Sequence, residues 1–78
     1  MDKINNALKQ KCLSHLSKPI QVVVVGLLTT EEVFNLGLTP INGLDNLYKG
    51  SLTGQQILNL EKLDAIKSIE FDINMHVL

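Results

Sequence analysis

The stretch IQVVVVGLL, residues 20–28, leaves this chain few ways to fold. Its consecutive valines, Val22, Val23, Val24 and Val25, lose side-chain freedom in a helix and pack well on a pleated surface, so the segment reads as a strand. Successive side chains of a strand point to opposite faces, and an unbroken apolar run puts hydrocarbon on both. Such a strand is either buried on both faces or central in a sheet that lies under helices. The longest apolar run, Val22 to Val25, is bounded by Gln21 and Gly26 and is far too short to cross a bilayer, which takes about 18 consecutive apolar residues. The run is the core strand, and the other elements are read around it.

Before it, residues 2–17 carry Ile4, Leu8, Cys12 and Leu16 at intervals of four, flanked by Ala7 and Leu13, with lysines and asparagines on the other face. This is the stripe of an amphipathic helix, with Asp2 as its cap and Lys18-Pro19 as its stop. After the strand, Thr29 stands three residues before Glu32, a capping box that opens a helix over residues 30–36 with Val33, Phe34 and Leu36. Gly37 closes it as a left-handed C-terminal residue. TPINGLDN, residues 39–46, concentrates turn formers, so residues 38–41 and 44–52 pair as a hairpin through Asn42-Gly43. In the second arm Leu44, Tyr48, Gly50 and Leu52 share a face and Leu47 lies on the other.

Thr53 and Gln56 form a second capping box and open a helix that turns Ile57, Leu60 and Leu63 to the core and Gln55, Asn59 and Glu61 outward. A last strand begins at about Ser68. The order after the first helix is the β-α-β-β-α-β pattern of a ferredoxin-like α+β sandwich, with two helices on a four-stranded antiparallel sheet. The expected organisation is an N-terminal amphipathic helix, residues 1–18, followed by the ferredoxin-like domain, residues 19–78.

Seventy-eight residues, 45% hydrophobic and 19% charged, make one globular domain close to the lower size limit for a core without staples. The formal net charge is −1, the seven cationic residues are all lysines, and they are scattered, so there is no footprint for a nucleic-acid backbone. Phe34, Tyr48 and Phe71 are the only aromatics, too few to stack bases across a sheet. A single cysteine, Cys12, forms no internal disulfide, and the first ten residues lack the cationic and apolar regions of a secretory leader. A cytoplasmic protein without membrane contact is the expectation.

Cys12 and His15 are spaced to share a helix face, but a zinc site takes three or four ligands and the only other histidine is His76. Ser14, Ser17, Ser51 and Ser68 have turn or strand explanations and no histidine-carboxylate pair beside them. Glu31-Glu32 suits the first turn of a helix, where the dipole favours negative charge. GSLTG, residues 50–54, opens a helix as phosphate-cradling loops do, yet it lacks both the dinucleotide and the P-loop pattern. No enzyme activity, metal or cofactor is expected.

The stretch YKGSLTGQQILNLEKLDAIKSIEFD, residues 48–72, resembles the second half of subtilisin-type propeptides and of the free small inhibitors related to them. The matching residues are Gly50, Leu52, Thr53, Ile57, Leu60, Ile66, Ile69, Glu70 and Asp72, and in outline the resemblance extends over residues 20–78. Two features depart from that family: the helix at 30–36 is short, and the helix at 2–17 has no counterpart. The resemblance implies a domain that lays its sheet on a subtilisin-like protease and threads its C-terminal tail through the substrate cleft by strand addition. Met75, His76, Val77 and Leu78 would occupy the cleft, with Leu78 nearest the scissile position and Met75 in the apolar pocket three residues back. Glu70 and Asp72 would lie where the family uses carboxylates to cap helices of its protease.

The same residues support a second reading. Ile69, Phe71, Ile73, Met75 and Val77 alternate with polar residues without a break, as in one long closing strand. Strands of that length exceed the usual five or six residues, and an end projecting beyond its sheet pairs readily with another copy. On that reading the chain is a self-associating or structural interaction module, a homo-oligomer through its edge strand or its N-terminal helix. Both readings describe a small protein-binding domain.

Overall fold

The computed structural model describes residues 3–41, 43 and 46–72. Along these residues the elements run α1 (Asn6–Ser14), β1 (Pro19–Gly26), α2 (Thr30–Leu36), β2 (Thr39–Pro40), β3 (Leu47–Thr53), α3 (Gly54–Glu61) and β4 (Ile66–Phe71). The chain is an α+β domain in which the strands form one four-stranded antiparallel sheet ordered β2-β3-β1-β4. The valine strand lies inside that sheet, paired on one side with β3 and on the other with β4.

Two of the helices start as the capping boxes require. Thr29 Oγ1 accepts from the Glu32 amide at 3.1 Å while Glu32 Oε1 accepts from the Thr29 amide at 2.9 Å. Thr53 and Gln56 repeat the arrangement at 3.2 and 2.9 Å. Gly37 ends α2 at φ 73°, a left-handed conformation that a side chain would strain, and its amide bonds back to Phe34 and Val33 carbonyls.

The register sorts the sheet into two faces. Ile20, Val22 and Val24 of β1 stand opposite Leu52, Gly50 and Tyr48 of β3, and Val22 and Val24 stand opposite Phe71 and Ile69 of β4. This face holds the core: Ile20, Val22, Val24, Leu52, Ile66 and Ile69 are buried together with Ile57 and Leu60 of α3. A bulge between Val25 and Gly26 adds a residue to β4, so Ile66 and Ile69, three apart, both turn inward. The last strand accordingly begins at Ile66 rather than near Ser68.

The first helix belongs to the same core. Ile4, Leu8 and Cys12 are at most 2% exposed. The carbonyls at the end of α1 meet the start of α3: the Gly54 amide donates to His15 O at 3.0 Å and the Gln55 amide to Leu16 O at 3.1 Å. At the other end the Lys3 ammonium donates to the Leu63 carbonyl, so the two helices run antiparallel. Lys3 also accepts, through its backbone carbonyl, a bond from the Ile69 amide at 2.9 Å, which places it along β4.

These contacts explain where the helix differs from its sequence reading. It starts at Asn6, with Asn5 Oδ1 accepting from the Leu8 amide at 2.7 Å, because Lys3 is committed to β4. It stops at Ser14 because the next carbonyls turn towards α3, which leaves Leu13 and Leu16 exposed. Leu63, expected in the core, follows the end of α3 and is 43% exposed. The hairpin is also shorter than expected: β2 has two residues, and β3 begins only at Leu47, after Asn46 in a left-handed turn at φ 64°.

Candidate protein-binding surface

The helices lie against one face of the sheet, and the other face has its own order. Gln21, Val23 and Val25 point to this second face from β1, because strand side chains alternate. Opposite them stand Ser51, Lys49 and Leu47 on β3, and opposite Val23 and Val25 stand Glu70 and Ser68 on β4. Residues directly opposite in antiparallel strands share a face, so three rows cross the sheet: Ser51-Gln21, Lys49-Val23-Glu70 and Leu47-Val25-Ser68. The Gln21 side-chain amide donates to Ser51 Oγ across the first row.

Val23, Val25 and Leu47 are half-buried, whereas Lys49 and Glu70 are exposed. The centre of the face is therefore apolar, with a cation on one flank and an anion on the other. Each charge is one strand from β1, so the two are separated by roughly 10 Å across the sheet, beyond a direct ion pair between their backbones' positions. At the end of the face, Val25, Leu47, Lys67 and Leu27 line a depression of about 350 Å³, and Leu27 is 63% exposed. Antiparallel sheets with one solvated face usually place polar residues there, and this one presents two of its central valines.

The site residues expected from the sequence are distributed unevenly over this geometry. Glu70 projects from the open face, while Asp72 is buried at 7% exposure and its amide donates to the Gln21 carbonyl. Met75, His76, Val77 and Leu78 lie outside the described residues. Val23, Val25 and Lys49 were not singled out in the sequence; the valine run, apolar at successive positions, was the signal that pointed to a second apolar face.

The other candidate chemistry meets plain structural uses. Cys12 is fully buried, and burial, with the Glu61 carboxylate as a smaller contribution, pushes its thiol above the usual range. His15 lies with Nδ1 3.2 Å from the Lys11 carbonyl of its own helix. Glu32 serves its capping box. The first amides of α3, which an anion would need, already donate to His15, Leu16 and Thr53.

A raised thiol pKa favours the folded state while the thiol is protonated. That contribution is complete below the ordinary value of an unfolded thiol and is lost as pH rises through the higher folded value. Urea unfolding should therefore show the wild-type midpoint falling towards that of Cys12→Ala as pH rises above the ordinary thiol value. A constant difference over that range would place the thiol in water.

No protein-family model matches the chain, and no curated protein or solved structure matches it.

Proposed function

We propose that this chain is a non-enzymatic protein-binding module of ferredoxin-like architecture whose contact surface is the open face of the sheet. One observation carries the reading: Val23 and Val25, from the middle strand, form a half-buried apolar centre between exposed Lys49 and Glu70 on the face away from the helices. An apolar centre with a charged rim is the composition of a protein contact. The strand order β2-β3-β1-β4, with α2 between β1 and β2 and α3 between β3 and β4, supports the ferredoxin-like assignment.

The propeptide-like inhibitor is the second reading, and Glu70 favours it. The resemblance puts a carboxylate at the point where the domain meets its protease, and Glu70 stands exposed on the open face close to the end of β4. Residues 75–78 would then enter the substrate cleft by strand addition.

Val23→Asp tests the surface. The substitution puts a charge on a half-buried position at the surface of the sheet, and far-ultraviolet dichroism checks that the variant keeps the wild-type fold before binding is compared. Two binding measurements are compared with the wild type: self-association, and inhibition of a broad-specificity subtilisin with and without residues 75–78. Binding that is lost in Val23→Asp supports the module. Binding that survives the substitution, or no binding in either measurement, removes the open face as the contact surface. Inhibition that needs residues 75–78 selects the inhibitor form.

A further inference from the structure

We infer that the open face is self-complementary and takes a second copy of this chain, face to face, about a twofold axis parallel to β1. The inference rests on the protein-binding reading above and names the partner.

The charges carry it. Lys49 and Glu70 lie in one row on either side of Val23, each one strand away from β1. A twofold axis that runs along β1 between two stacked sheets exchanges the positions of β3 and β4 and leaves the level along the strand unchanged. Lys49 then stands over Glu70 of the second copy, and Glu70 over its Lys49, while Val23 and Val25 meet their own counterparts on the axis. Isologous contact requires this reciprocity. Facing sheets pack about 10 Å apart, a gap that valines fill at the centre and that lysine and glutamate side chains span at the flanks.

The alternative twofold, in the same plane but perpendicular to the strands, stacks Lys49 on Lys49 and Glu70 on Glu70. Like charges brought together oppose that arrangement, so the charge pattern selects both the partner and its orientation. The chosen arrangement also sets Leu47 over Ser68 of the second copy and draws the depression beside exposed Leu27 into the contact. On the helical side Ile4, Leu8 and Cys12 of α1 are buried within the chain, and the apolar residues exposed there, Leu13, Leu16, Phe34 and Leu63, do not lie in a row between opposite charges as Val23 does.

Sedimentation equilibrium from about 10 µM to about 1 mM is the test. The wild type is expected to approach twice 8.6 kDa with rising concentration. Lys49→Glu and Glu70→Lys should each weaken the dimer by about 10- to 100-fold, since each sets like charges against one another twice, and the double variant should restore it. Both positions are exposed, and dichroism checks that the variants fold. A wild type that stays at 8.6 kDa overturns the second copy. If such a monomer still inhibits subtilisin through Val23, the protein-binding face survives the loss of this partner. A dimer abolished by Val23→Asp but indifferent to the charge swaps overturns the proposed twofold and keeps the face. A dimer indifferent to all three variants overturns both.

Discussion

Gly54→Ala is expected to destabilise the fold by about 2–3 kcal/mol, although alanine is the better helix former. Gly54 opens α3, and a Cβ built there would meet Cys12 O at 2.3 Å, His15 O at 2.7 Å and Cys12 Cα at 2.8 Å. All three are backbone atoms of α1 or of the residue that follows it, so no side chain can swing aside. The helices would have to separate by about an ångström, stretching the bonds from the Gly54 and Gln55 amides to His15 and Leu16. Against this, the gain in helix propensity is at most about 1 kcal/mol, and less at a first helical position. The contact term wins. The midpoint of urea unfolding measures the outcome, and a variant as stable as the wild type would mean that α1 does not rest on the start of α3.

This close approach shows what one sequence can and cannot disclose. Local chemistry was legible: Thr29 with Glu32 and Thr53 with Gln56 open their helices, Gly37 closes one, and Tyr48, Gly50 and Leu52 share a face. Each of those depends on residues within a few positions of one another. The limits of α1 depend on contacts 39 and 66 residues apart in sequence, namely Gly54 with His15 and Ile69 with Lys3, and no local pattern encodes them. The bulge at β4 hid the start of the last strand in the same way, since Ile66 and Ile69 break the alternation that marks a strand.

The candidate surface was half legible. Four valines in succession announce that both faces of a central strand are apolar, but periodicity cannot say which face the helices take. In the structure they cover Val22 and Val24, and Val23 and Val25 are left to the open side. Glu70 was singled out through the resemblance alone and Lys49, 21 positions away, not at all, and the two become a pair only when the register sets both beside Val23. Asp72 shows the reverse: alternation pairs it with Glu70 on a solvated face, and it is buried instead.

Leu8→Ala should cost about 3 kcal/mol, the second large effect. Leu8 is completely buried, among the largest side chains with no exposed surface, and it sits on a helix that an amphipathic stripe alone would allow to dock or to hang free. Were α1 an appendage carrying a dimer contact, the substitution would weaken association and leave the urea midpoint of a dilute sample unchanged. Because Leu8 packs with Cys12 and Ile4 in the same cluster as Ile57, Ile66 and Ile69, the midpoint should fall at any protein concentration. For a chain of 78 residues the total stability is on the order of 4–12 kcal/mol, so the loss is a large share of it. Leu8→Asp, which adds an unpaired buried carboxylate to the cavity, should leave the chain unfolded. The same reasoning separates the two surfaces of the molecule. Substitutions on α1 are expected to act on folding and, on the proposed dimer, those at Val23, Lys49 and Glu70 on association; a variant such as Leu8→Ala that kept its midpoint but weakened association would exchange those assignments.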